Sequence, residues 1–298
     1  MRALKRDEKV HDALQLIVQK SIQACLTALT ADESSTLTDE AIHDIRKQVK
    51  TVRSLLRLMR SDMGDHAYQH ASRCLREANR PLSDTRDAKV IFATYNKLMA
   101  RRNTLTAPRM RIQRTLEGRL RKARARVAGS TQTKRRIAQR LRTAEHLVRH
   151  CRASHGSWKN ISRGVHNMYA KGRDAFETAA ADKSDANLHE LRKRAKDLLY
   201  TCTFLRKLGP LTRAMSADLK RFTDLLGAHR DLAMLQRASA ARWLVRENSL
   251  REKIADMAAR EQASLCNRAW RIGSRVYGSS PTAFVNRLHR AWKAWRRS

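Results

Sequence analysis

The stretch HDIRKQVKTVRSLLR, from His43 to Arg57, gives one helix two distinct faces, and a chain satisfies both only by burying one and exposing the other. At 100° per residue, His43, Arg46, Lys50, Arg53 and Arg57 fall at roughly 0, 300, 340, 280 and 320°, a stripe about 80° wide. Ile45, Val49, Val52, Leu56 and Met59 fall between roughly 160 and 240°. The apolar stripe requires a core. The basic stripe stacks positive charge along one edge of it.

The same device recurs about half of the 298-residue chain farther on. LHELRKRAKDLLY, from Leu188 to Tyr200, places His189, Arg192 and Lys196 at the offsets of His43, Arg46 and Lys50. LREANRPLSDTRD (Leu75 to Asp87) matches LKRFTDLLGAHRD (Leu219 to Asp231), pairing Leu82 with Leu226, Arg86 with Arg230 and Asp87 with Asp231. This repetition predicts a duplicated helical unit, with half-repeats 1–153 and 154–298 and a hinge at Ser154 to Ser157.

Apolar residues recur at three and four throughout, no segment shows the alternation of strands, and only four prolines occur. The expected fold is all-α: two four-helix units packed antiparallel, with the two histidine-bearing helices on a common groove. Thr36 or Thr38 is expected to cap the His43 helix and Gly64 to close it. His66 to Arg102 reads as one helix kinked at Pro81, bending the Arg86–Asp87 pair inward. The Gly129–Ser130 pair should split the next basic stretch into two helices, the first starting near Pro108. Asp185 or Ser184 caps the His189 helix, which Gly209–Pro210 ends. Thr212 to Arg246, Arg251 to Tyr277 and a short terminal helix follow.

Composition narrows the function. Lys and Arg number 63 against 28 Asp and Glu, a formal charge of +35, which points to a polyanionic partner: nucleic acid, an acidic membrane or a phosphate polymer. Arg101 to Arg152 alone holds seventeen basic residues and two acids, Glu117 and Glu145. The five cysteines are scattered and never in a CxxC pair, so reduced thiols are expected and neither a disulfide frame nor a zinc site. The N-terminus lacks a secretion signal and no apolar run is long enough for a membrane span, so a cytoplasmic location is expected. No GxSxG, HExxH or phosphate-cradling glycine loop occurs, hence no enzyme, metal or cofactor is expected.

Several residues carry competing readings. A basic stripe without intervening acids favours ligand contact for Arg46, Lys50, Arg53 and Arg57, since Arg offers a planar fork and Lys a point charge to repeated phosphates. His43 and His189 read equally as ligands or as hydrogen-bonded core residues. Asp87 and Asp231 suit ion pairs with Arg or Lys better than a Mg²⁺ site, which recruits more oxygens. Trp270, Trp292 and Trp295, interspersed with Arg271, Lys293 and Arg296, read as caps on the bundle in preference to a membrane-surface helix. Single-stranded nucleic acid calls for aromatic platforms, which the His43 stripe lacks, and duplex reading calls for a helix free of a core. Nucleic-acid backbone binding stays the alternative to a bare phosphate polymer. A polyphosphate-processing enzyme using Asp87 and Asp231 is the more distant one.

HDIRKQVKTVR and LHELRKRAKDLLY, each followed about 40 residues later by LSDTRDAKVI and LLGAHRDLAML, resemble the two repeats of the CHAD family, α-helical domains named for their histidines. The resemblance spans nearly the whole chain and implies a single such domain over 1–298. It implies two pseudo-symmetric four-helix bundles around a basic channel that binds inorganic polyphosphate without turnover, with polyphosphate granules as the expected location. Carried over by position, it implies ligand roles for His43, Arg46, Lys50, Arg53 and Arg57 and for His189, Arg192, Lys193 or Arg194, and Lys196. Arg86 and Arg230, from the second motif of each copy, join that set. Leu199 stands where the family pattern tends to be basic, and Arg230 where it often has histidine. No ExExK segment of the triphosphate-hydrolysing tunnel domain often fused to relatives occurs, so the chain looks like the binding module alone.

Overall fold

The computed structural model describes residues 2–30, 37–100, 107–128, 130–151, 158–241, 243–245 and 247–298. All regular structure among these is helical: α1 (Val10–Thr30), α2 (Asp39–Leu58), a single turn α3 (Arg60–Met63), α4 (Asp65–Asn79), α5 (Ser83–Met99), α6 (Ala107–Ala128), α7 (Thr131–Arg149), α8 (Trp158–Ala181), α9 (Asp185–Phe204), α10 (Pro210–Ala240), α11 (Asn248–Tyr277) and α12 (Pro281–Arg297). A 3₁₀ turn, Arg206–Leu208, precedes α10.

The starts of the two histidine-bearing helices follow local chemistry. Thr38 accepts the Ala41 amide at 3.1 Å, and Asp39 and Glu40 sit in the first turn, where the positive end of the helix dipole favours them. Ser184 accepts the Asn187 amide in the same way at the start of α9. Thr36, Gly129 and the expected hinge at Ser154 to Ser157 lie outside the described residues.

Two boundaries in the first half differ from the expectations. α2 stops at Leu58, and Gly64 (φ 72°) closes the separate turn α3. The Pro81 segment is a full break between α4 and α5, because the ring removes a donor where the chain turns and Leu82 drops into the core with no exposure. α10, with no proline at the matching place, runs unbroken through it.

α1, α2, α4 and α7 pack as one group and α8, α9, α10 and α12 as another, with α2 lying against both α8 and α9. A third packing centre, absent from the two-unit expectation, joins α5 and α6 to the end of α10 and the start of α11 through Ile91, Tyr95, Ile112, Leu235 and Ile254. The main core draws Leu55 and Leu56 together with Val165, Leu198 and Phe222. Both cores thus take residues from either side of 153/154, since each half supplies only part of each interior.

The tryptophans cap the interior. Trp292, 8% exposed, lies 5.3 Å from Trp158, and Trp270 stacks on Phe176 at 5.0 Å. Cys25, Cys74, Cys202 and Cys266 are buried free thiols and Cys151 is half-buried. No helix among the described residues is long and apolar enough to cross a membrane.

α8 approaches α2 closely because Gly164 has no side chain: a Cβ there would lie 3.1 Å from the Leu58 Cα. Gly164→Val is expected to destabilise the protein by about 1–3 kcal/mol through overpacking, read as a lower urea midpoint at unchanged slope.

Candidate functional site

The basic stripe of α2 faces a groove whose other walls are α5, α9 and α10. Lys50 is its centre. It is accessible to solvent, yet protein surrounds it on an open concavity and strips part of its hydration. That desolvation, then the positive charges of Arg46, Arg86, Arg192 and Arg230, lowers its pKa to about 8. Four helices from both halves therefore aim five cations at one place.

Each arginine is fixed by a different element. Arg46 is buried and donates from Nη1 to the Asn79 carbonyl at 3.1 Å and the Ser83 hydroxyl at 3.0 Å. It stitches α2 to the Pro81 break and so sets where α5 begins. Three residues later Arg86 reaches back across the groove, donating to Asp87 at 2.9 Å and to Asp231 of α10 at 3.2 Å. The expected inward aim of Arg86 is present, achieved by a turn instead of a kink. Both aspartates take the ion-pair role, and no group of three or more potential metal ligands occurs among the described residues.

On α9, Arg192 lies flat against α10 because Gly227 offers no Cβ; one built there would be 3.2 Å from the Arg192 Nε. Burial, then Arg86 among other charges, lowers its affinity for its proton. Arg230 donates to the His189 ring, 2.8 Å from Nε2. Desolvation first, then the charges of Arg230, Lys193 and Arg192, drives the His189 pKa down to about 4, so it stays neutral near pH 7. Lys196, one turn beyond Arg192, stands 3.6 Å from Asp224.

Seven of the eleven expected residues thus meet: Arg46, Lys50, Arg86, His189, Arg192, Lys196 and Arg230. Arg53 and Arg57 occupy the next turns of α2, beside Arg76. Arg57 is committed to an ion pair with Asp197 of α9 at 3.1 Å. Burial raises the Asp197 carboxyl pKa against the opposing pull of Arg57, Arg194, Arg53 and Lys193. Lys193 turns outward to Glu190 at 2.5 Å. His43 is exposed on the first turns of α2, with no hydrogen bond or ion pair among the described residues.

Sequence periodicity missed Asp197, Arg76 and Gly227. Asp197 falls roughly 80° from His189 on the α9 wheel, off the basic stripe, so a stripe-based search passes over it. Its partner lies in another helix, which one helix's periodicity does not encode. The Nε atoms of Arg53 and Arg192 are buried with no hydrogen-bond partner, although buried donors are nearly always satisfied.

The thiols offer no nucleophile: burial pushes Cys25 and Cys202 up to about 12 and Cys151 to about 11.

A family model described as the CHAD domain matches residues 20–240. Two solved structures share the fold. The CHAD domain from the plant Ricinus communis is 18% identical with a TM-score of 0.61, covering 97% of this chain and 94% of that one. PptA from Streptomyces chartreusis is 14% identical with a TM-score of 0.65, covering 91% and 100% respectively. No curated protein matches significantly.

The lowered Lys50 pKa has a definite sign in stability. Between about 8 and 10.5 the unfolded chain keeps a proton that the folded chain has released, so raising the pH through this window stabilises the fold. Lys50→Met should be more stable than the parent at pH 7, with the gap closing as pH approaches 10.5, measured by urea unfolding across that range.

Proposed function

This chain belongs to the CHAD domain family, and we propose that its cationic groove holds inorganic polyphosphate without breaking it. The observation that carries this reading is the Lys50 cluster: one amine among four guanidiniums drawn from α2, α5, α9 and α10. Like charges at such density repel one another, and an anion with repeated charges offsets that repulsion along the groove.

The geometry favours bare phosphate over a duplex. α2 is enclosed by α1, α4, α8 and α9, and its Ile45, Val49, Val52 and Leu56 are all buried, so it is not free to enter a major groove. Tyr200, the ring beside Arg192, is half-buried and tied to Thr51 through its hydroxyl, so it is not an exposed platform for a base. Arg46, Lys50, Arg86, Arg192 and Arg230 form the proposed contact set, with Arg53 and Lys196 extending it. His189 orients Arg230, and Arg57 and Lys193 act mainly through their acidic partners. His43, exposed at the start of α2, would meet the polymer where it leaves the groove. Binding of this kind suits retention at cytoplasmic polyphosphate granules.

Lys50→Met with Arg230→Gln is expected to weaken long-chain polyphosphate binding at least about tenfold and lower the salt slope by about 2, while Arg136→Gln with Arg142→Gln on α7 changes affinity little. Fluorescence anisotropy over a salt series reads both; equal losses would mean a diffuse charge cloud, and DNA outcompeting polyphosphate at equal phosphate would transfer the reading to nucleic acid. Because a bound anion favours the protonated amine, affinity should also decline as pH rises past about 8, and Lys50→Met should flatten that decline.

A further inference from the structure

Next to the groove, and sharing Asp87 with it, a cavity of about 720 Å³ lies along α5 and α6 and the segment after α10. Its lining includes Asp84, Arg114, Gly118, Arg119, Lys122 and Trp243. Trp243 is 44% exposed, one of two large apolar side chains so exposed among the described residues. The Arg119 guanidinium sits 4.4 Å from its ring centroid, which holds the indole in a cation–π contact at the cavity wall.

Two further features set this cavity apart from the general basic surface. Arg114, Arg119, Lys122 and Arg126 all line it and none is in an ion pair among the described residues, whereas Arg124 on the same helix is paired with Asp39. Gly118 sits mid-helix, where glycine weakens α6, yet a Cβ there would meet nothing within 4 Å. Packing therefore does not account for the glycine; its effect is to leave the cavity deeper.

The cavity joins an aromatic platform, a carboxylate acceptor at Asp84 and several uncommitted cations, in a volume typical of small-ligand sites. We propose that it binds a purine nucleoside triphosphate. The base stacks on Trp243, and Lys122 and Arg126, farther along α6 than Arg119, take the phosphates. A single platform in a cavity of this size suits one nucleotide in preference to a strand.

The test titrates the full chain carrying Lys50→Met and Arg230→Gln, which weakens phosphate binding in the groove, with ATP, GTP and tripolyphosphate, following tryptophan fluorescence and equilibrium dialysis. ATP or GTP should bind at least about tenfold tighter than tripolyphosphate, and Trp243→Ala should remove that advantage while leaving tripolyphosphate affinity unchanged. Gly118→Leu, which fills open space, should abolish nucleotide binding with the helical signal intact. Lys50→Met with Arg230→Gln should leave nucleotide binding unchanged, so this site and the polyphosphate groove fail or stand separately. Equal affinity for nucleotides and tripolyphosphate with no effect of Trp243→Ala overturns the proposal, as does binding of a single-stranded oligonucleotide through Trp243 without binding of the mononucleotide.

Discussion

Repulsion among the cations around Lys50 is the constraint to which the rest of the molecule answers. Two unit charges 4 Å apart near a protein surface oppose each other by about 4 kcal/mol, so an assembly of five does not form by itself. Apolar burial on the opposite faces of the same helices holds it. α2 buries Ile45, Val49, Val52 and Leu56, and α9 buries Leu188, Leu191, Ala195 and Leu198. Each large side chain contributes about 1.5–3 kcal/mol on leaving water. The two faces of one helix are therefore coupled: the core side sets the strength with which the charged side can be concentrated.

A few carboxylates regulate that concentration without cancelling it. Asp231 on α10 holds Arg86 of α5, and Asp197 on α9 holds Arg57 of α2, so both ion pairs run between helices from different halves of the chain. Each acid neutralises one arginine and fixes the crossing of two helices. Lys50, by contrast, has only cations among the charges that act on it, and its lowered pKa records the imbalance. Concentrating like charge in this way costs stability, the usual relation between a specialised site and its fold.

Much of the helical layout was legible because it is local. Periods of three and four, and Ser184 and Thr38 as caps, all act within one turn of where they stand, whereas α9 ends at Phe204, ahead of the expected stop at Gly209–Pro210. The basic stripes were legible for the same reason, and five of their residues, Arg46, Lys50, His189, Arg192 and Lys196, meet in the groove. What escaped was long-range. Arg46 finds its acceptors at the Asn79 carbonyl and the Ser83 hydroxyl, thirty-three and thirty-seven residues away, and the third packing centre depends on Ile91 and Leu235 meeting from opposite halves. Trp243 gave no signal at all, since a single aromatic in a basic segment has no period.

By itself the sequence determined that this chain is helical, that its helices carry separate apolar and cationic stripes, and that it bears a formal charge of +35. Those properties follow from spacing and composition, which each helix holds without reference to the others. The tertiary structure decided which cations converge and which are tied down: Arg192 enters the groove because Gly227 lets it lie flat, and Arg57 is held because Asp197 faces it across the α2–α9 contact. Helix crossings set those partnerships, and a crossing depends on the shape of two surfaces at once.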